Sequence, residues 1–218
     1  MGSIRRFNLP RLRSLNGAEV FFETGTWKGD GLAYACRYPF KKLYSSEIVP
    51  SIADAAAARF KSDPRVQIIP ESSEAALTKY IHENDGPYIF WLDAHFPGAE
   101  EGLNDYNEYS DEVTKLPLQR ELEIIAAKRN PESDIILIDD LRIYEEGNFK
   151  NGNLPDTVLP PKIRNIEFAE KLFNKSHRLI KSYKDEGYVL LLPLRTRKLS
   201  ALESTWFAIQ SSVTGKIV

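Results

Sequence analysis

The sequence predicts an α/β domain built on a doubly wound, mostly parallel, Rossmann-like sheet. Helices should cover both faces, and an antiparallel hairpin should close the C-terminal end. Three observations carry this expectation. Five short runs, at residues 19–22, 42–46, 66–69, 88–92 and 134–138, are rich in β-branched or aromatic residues and apolar almost throughout. That is the pattern of strands buried on both faces. Helix-compatible stretches separate the runs, at 32–38, 51–61, 73–82 and 118–128, and such alternation produces parallel crossovers. Finally, strand-like residues 188–193 and 204–209 lie too close in sequence for a helical crossover, so they should pair antiparallel.

In chain order, the first run leads into a glycine-rich turn, and Pro50 stands directly before the second helical stretch. Pro117 does the same before the fourth; proline suits the first turn of a helix, where its missing N–H costs nothing. Residues 168–182 read as one helical pattern before Gly187. Two long irregular segments, 97–116 and 142–164, follow strand C-termini and are expected to form lids over an acceptor site.

With 218 residues, 42% of them hydrophobic, the chain is sized for one domain over 1–218. This composition excludes disorder, collagen and coiled coil. Lys plus Arg number 29 against 31 Asp plus Glu, a net charge of −2, so no nucleic-acid partner is expected. The single cysteine, Cys36, gives no intramolecular disulfide and no zinc cluster, and reads as a small buried side chain in the first helix. The N-terminus lacks the apolar core of a signal peptide, and Arg6 occupies the place where a myristoylation pattern needs Ser or Thr. No apolar run approaches the ~20 residues of a membrane span. A cytoplasmic location is expected, with association between copies left open. Arg5, Arg6, Arg11 and Arg13 read as a solvated basic arm, and His82 and His177 as surface histidines in helical stretches.

The residues that carry chemistry fall at strand ends. Glu23-Thr24-Gly25-Thr26-Trp27-Lys28-Gly29-Asp30-Gly31 makes a tight turn that lets backbone approach a ligand. It is not the G-x-G-x-x-G dinucleotide fingerprint, and an acid at its start suits a cationic ligand better than a pyrophosphate. Glu47 ends the second strand, where a carboxylate can accept hydrogen bonds from both hydroxyls of a ribose. Ser72 and Ser73 follow the third strand; they could receive a base edge or simply cap the next helix. Asp93 and His95 end the fourth strand, and Asp139 and Asp140 the fifth. If those ends are neighbours, three carboxylates meet, and one must hold a proton or a cation must lie between them. All-oxygen ligation by Asp93, Asp139 and Asp140 favours a hard divalent ion, Mg²⁺ before Mn²⁺ or Ca²⁺. His95 is the natural proton acceptor.

Together these features resemble the class I methyltransferases that use S-adenosylmethionine, over roughly residues 20–209. The segment from Glu23 through Gly29 is similar to the family's first motif, with Glu23, Thr24, Gly25, Thr26 and Gly29 as cofactor-binding positions, and Glu47 is similar to its ribose-binding acid. Asp93, Asp139 and Asp140 resemble the ligand set of metal-dependent O-methyltransferases, including those that modify sugars in macrolide and aminocoumarin biosynthesis, and His95 stands where those carry a base. The resemblance implies metal-assisted methyl transfer from S-adenosylmethionine to a hydroxyl of a sugar, glycan or natural product, with Asp93 and His95 catalytic and Asp93, Ser72 and Ser73 also touching the cofactor. The alternatives are the same cofactor with a small diol or phenol acceptor, and a non-catalytic cofactor-binding module.

Overall fold

The computed structural model describes residues 3–95, 116–129, 132–156, 164–198, 200–202, 205 and 215–217. Among these lies a sheet of seven strands: β1 (Val20–Thr24), β2 (Lys42–Ser46), β3 (Val66–Ile69), β4 (Tyr88–Leu92), β5 (Ile135–Ile138), β6 (His177–Ser182) and β7 (Tyr188–Pro193). Their spatial order is β3-β2-β1-β4-β5-β7-β6. The first five are parallel, and β7 is inserted antiparallel between β5 and β6. The helices are α1 (Leu9–Asn16), α2 (Asp30–Ala35), α3 (Pro50–Phe60), α4 (Ser73–Tyr80), α5 (Leu118–Lys128) and α6 (Glu167–Phe173).

The near-continuous hydrophobicity of the strands has a direct cause. Successive side chains point to opposite faces, and both faces are covered. Val20, Phe22, Phe90, Leu92, Ile136, Ile138, Val189 and Leu191 pack on one side against Ala76 and Leu77 of α4, Leu122 and Ile125 of α5, and Ala169 and Phe173 of α6. Phe21, Ile89, Trp91, Ile135, Leu137 and Leu190 pack on the other against Leu9 and Leu12 of α1 and Leu32 and Ala35 of α2. Burial of each large side chain contributes about 1.5–3 kcal/mol.

Three expectations need correction. The stretch 168–182 is not one helix: α6 ends at Phe173, and His177–Ser182 is the edge strand β6. The antiparallel hairpin therefore forms between β6 and β7, in register from His177↔Pro193 to Ser182↔Tyr188. Residues 204–209, expected as its second strand, lie outside the described residues apart from Thr205. The period misled because β6 is an edge strand, and Arg178 and Lys181 there mimic the polar face of a helix. Second, His177 is buried, not on the surface; its Nε2 stands 2.8 Å from the carbonyl oxygen of Asp134 and its Nδ1 2.9 Å from Ser176 Oγ. Third, the basic N-terminal segment is not an arm. Ile4, Phe7, Leu9 and Leu12 are fully buried, and Arg6 forms a two-pronged ion pair with Asp185, at 2.6 and 2.9 Å. Cys36 caps the C-terminus of α2 and is half-buried.

At the end of the sheet where the parallel strands begin, one ion pair gathers several segments. Arg129, just past α5, donates to both carboxylate oxygens of Asp134 at 2.8 and 3.0 Å, with each side chain 1% exposed. Asp134 also accepts from the Tyr88 N–H at 2.8 Å, and Arg129 donates to the Gly86 and His82 carbonyls. Removing one partner strands a buried charge. Asp134→Ala should cost about 3–5 kcal/mol of unfolding free energy, measured by urea denaturation.

Candidate active site

The spatial order reverses between β1 and β4, which lie side by side while the chain runs β1-β2-β3 outward in one direction and β4-β5 in the other. Crevices at the C-terminal ends of such strands are where open α/β sheets bind ligands. The turn after β1 lies directly against the end of β4. Gly25 has φ +77°, and a Cβ there would stand 2.6 Å from the Asp93 carbonyl oxygen. Only glycine fits, and the turn is held down by Gly25 and Thr26 N–H groups donating to the Ser46 carbonyl at 3.0 and 3.1 Å. Gly29 also has positive φ, +76°, and packs against Phe60. Trp27 between them is forced to φ +43°, a strained backbone of the kind that collects at functional sites.

That strain points the Trp27 N–H at Glu47. It donates to Oε2 at 2.9 Å, and the Val49 N–H donates to Oε1 at 3.0 Å. The two amides fix the carboxylate, and each oxygen keeps a lone pair for a further donor. Glu23 has another place: it lies beneath the turn, 2% exposed, and accepts from Ser45 Oγ at 2.6 Å. Ser45 Oγ in turn is 2.6 Å from Thr26 Oγ1. Burial pushes the Glu23 carboxyl up to about 8, against the Ser45 hydrogen bond. Thr24 is fully buried, and both its carbonyl and its Oγ1 accept from the Asp93 N–H, at 3.2 Å. Ser72 Oγ caps α4 by accepting from the Ala75 N–H at 3.3 Å, and Ser73 opens that helix, buried.

β4 and β5 are adjacent, so the acids at their ends do meet. His95 stands between them, with Nε2 3.0 Å from Asp140 Oδ2 and Nδ1 3.7 Å from Asp93 Oδ1. Asp140 occupies the left-handed region at φ +51°, and its N–H donates to Asp139 Oδ1 at 2.9 Å. Burial first, and then the charges of Asp93 and Asp140, push the Asp139 carboxyl well above the usual range. Burial opposes ionisation of Asp140 too, but its contact with His95 holds it below the usual value. Asp140 Oδ1 is buried without a hydrogen-bond partner, with Arg142 Nε 3.8 Å away.

The oxygen donors and the unpartnered Oδ1 suit a hard cation in kind. As the side chains stand, however, no group of three His, Cys, Asp or Glu among the described residues is placed to hold a metal ion. His95 lies against two of the acids, Asp140 and Asp93. Asp93, Ala94, His95 and Asp139 line a narrow cleft with Leu118, Glu121, Ile143 and Tyr144. Glu121 and Tyr144 were not singled out from sequence, yet a signal existed: Glu121 falls on the same helical stripe as Leu118, Leu122 and Ile125, all buried. Of the expected lids, 97–116 lies outside the described residues except Leu116, while Ile143, Tyr144, Phe149 and Leu154 of the other pack into the core.

No protein-family model and no curated protein matches the sequence. Solved structures do. An SAH-bound methyltransferase from Podospora anserina, PaMTH1, aligns over 81% of this chain and 72% of its own, at 17% identity and a TM-score of 0.54. The O-methyltransferase TomG of Streptomyces achromogenes, involved in tomaymycin synthesis and solved with S-adenosylmethionine, covers 85% and 76%, at 20% identity and 0.52. An rRNA methylase from Streptococcus thermophilus covers 84% and 92%, at 14% identity and 0.52. The chain thus has the Rossmann-like fold of these class I methyltransferases.

Glu23 generates a test of this geometry. Its folded-state value, about 8, lies above the ordinary 4.5, so the folded protein keeps a proton that the unfolded chain loses. Its contribution is fully present below pH 4.5 and is lost as the pH rises toward 8, by about 1.4 kcal/mol per pH unit. Unfolding free energies at pH 5, 6, 7 and 8 should therefore decline, and Glu23→Gln should make the decline shallower.

Proposed function

We propose that this chain is an S-adenosylmethionine-dependent O-methyltransferase that methylates a hydroxyl of a sugar, a glycan or a sugar-containing natural product. The observation that carries the reading is the Gly25 cradle beside a Glu47 carboxylate already fixed by two amides, a few residues' width from Asp93 and His95. A Cβ at position 25 would collide with the Asp93 carbonyl, so the glycine lets the turn pack directly on the end of β4 and sets its backbone beside Asp93. Glu47 would accept from the ribose hydroxyls through the lone pairs that Trp27 and Val49 leave unused.

The methyl donor supplies a carbon already activated on a sulfonium. What remains for the protein is alignment, exclusion of water and removal of one proton. Asp93, at the junction of turn and cleft, would face the sulfonium with its negative charge. His95 would take the hydroxyl proton; Asp140, 3.0 Å from its Nε2, orients the ring and stabilises the imidazolium as it forms. Asp93, Asp139 and Asp140 would hold a divalent cation, most simply Mg²⁺, which when bound supplies Lewis-acid stabilisation of an alkoxide.

Two measurements test this. By calorimetry S-adenosylhomocysteine should bind the wild type, and Glu47→Ala should weaken it at least about tenfold, since each hydrogen bond to a charged group contributes about 1.5–3 kcal/mol. No binding to the wild type refutes the reading. In methyl-transfer assays against a panel of sugars, diols and phenols, His95→Ala should lower kcat by about a hundredfold or more. Chelation of divalent ions and Asp139→Asn should each depress turnover while leaving cofactor affinity intact; full activity under both removes the ion from the proposal.

A further inference from the structure

The end of the sheet opposite the acids carries a second cavity, which the methyl-transfer chemistry does not use. It has a volume of about 470 Å³ and is lined by Arg13, Asn16 and Gly17 at the close of α1, Glu132 ahead of β5, and Arg195 and Arg197 beyond β7. Its walls are fixed. Asn16 Nδ2 donates to the Tyr88 and Ser133 carbonyls at 3.0 and 3.1 Å, and the N–H and Nε of Arg197 donate to the Leu15 and Ser14 carbonyls, each at 2.8 Å. Arg13 donates from Nε to the Ala18 carbonyl at 3.1 Å and from Nη2 to the Pro39 carbonyl at 3.0 Å. Arg195 Nη1 lies 3.0 Å from Glu132 Oε2.

Three guanidiniums against one carboxylate exceed what the structure needs at this place. A helix C-terminus presents about half a negative charge. Arg197 and the Gly17 N–H, which donates to the Arg13 carbonyl at 2.7 Å, already answer that of α1. Among the described residues, Arg13 Nη1 and Arg195 Nε and Nη2 donate to no protein group. Burial pulls the Arg13 guanidinium below its ordinary value, opposed by the charge of Glu19, and Glu19 is itself paired with Lys41 at 2.7 Å. The missing counter-charge has a definable chemistry. Guanidiniums match phosphate oxygens two at a time, and a phosphate group brings about −1.5 to −2 charge, which balances this excess where one carboxylate would not. The volume is that of a small-molecule pocket, and the chain as a whole is acidic, at −2, which disfavours a long polyanion. Five residues of β4, about 17 Å of extended strand, separate the cavity from the acid rim. We propose that this cavity is a second binding site, distinct from the methyl-transfer site, for a small phosphate-bearing molecule held by Arg13, Arg195 and Arg197.

Calorimetry on the full chain, titrated with pyrophosphate at fixed ionic strength, tests this. The wild type should show saturable binding at one site, at least tenfold tighter than for acetate. The Arg195 and Glu132 side chains are 82% and 46% exposed, so substitutions there leave the fold intact. Arg195→Gln should weaken pyrophosphate at least fivefold. Glu132→Gln, which removes the competing carboxylate and releases Arg195, should tighten it at least threefold, an effect that a purely structural ion pair would not produce. Lys61→Gln, which removes an exposed charge at the end of α3, should change it less than twofold. Glu47→Ala, in which S-adenosylhomocysteine binding should fail, should take up pyrophosphate as the wild type does. No saturable binding to the wild type overturns the inference, as does equal weakening in Lys61→Gln and Arg195→Gln, or loss of pyrophosphate binding in Glu47→Ala. Binding of a short single-stranded RNA or of anionic phospholipid vesicles that pyrophosphate does not displace overturns it too. None of these outcomes bears on whether S-adenosylhomocysteine binds at the other end of the sheet.

Discussion

Negative charge withdrawn from water at one edge of the sheet is the constraint on which this structure turns. Glu23, Glu47, Asp93, Glu121, Asp139 and Asp140 crowd the C-terminal ends of β1, β2, β4 and β5 and the adjoining start of α5, and nearly all are buried. Burial of ionised carboxylates without compensation is prohibitively unfavourable, and each acid here meets that demand differently. Glu23 is pushed up to about 8 beneath the glycine turn, Glu47 collects two backbone amides, and the Asp139 carboxyl is raised while the His95 contact holds Asp140 low. Glu121 has the Ser73 and Thr24 hydroxyls against it, and burial still lifts its carboxyl to about 7. A sheet edge arranged in this way is poised for a ligand that brings donors or positive charge.

Much of the architecture was legible because burial on both faces leaves a plain trace in sequence. The runs at 42–46, 66–69 and 88–92 coincide with β2, β3 and β4, since strands covered by helices on either side need no polar alternation. The last part was harder. Among the described residues β6 pairs with β7 alone, so polar side chains such as Arg178 and Lys181 are tolerated on it and the strand loses its signature. His177 offers the clearest lesson: a histidine among polar neighbours in sequence is buried because β6 folds back to bring it against the start of β5, a contact 43 residues away.

The candidate site divides along the same line. That Asp93, His95, Asp139 and Asp140 come together follows from the adjacency of β4 and β5, which the strand pattern implies. What no pattern announces is orientation. Glu23 heads the glycine turn in sequence, yet its side chain passes under the turn to Ser45. Position 121 looks like one more surface glutamate, and only its phase on α5 places it inward with Leu118 and Ile125. Facing directions depend on packing between distant segments, and those contacts are not written locally.

The Arg129–Asp134 pair has a mechanical meaning. It rivets the start of β4, the start of β5 and the end of α5 together, and through the Asp134 carbonyl it also reaches the start of β6. The opposite rim is fastened by shorter links, the Asp93 N–H on Thr24 and the Asp139 N–H on the Leu92 carbonyl, so the sheet is clamped at both ends and a ligand meets a preformed rim.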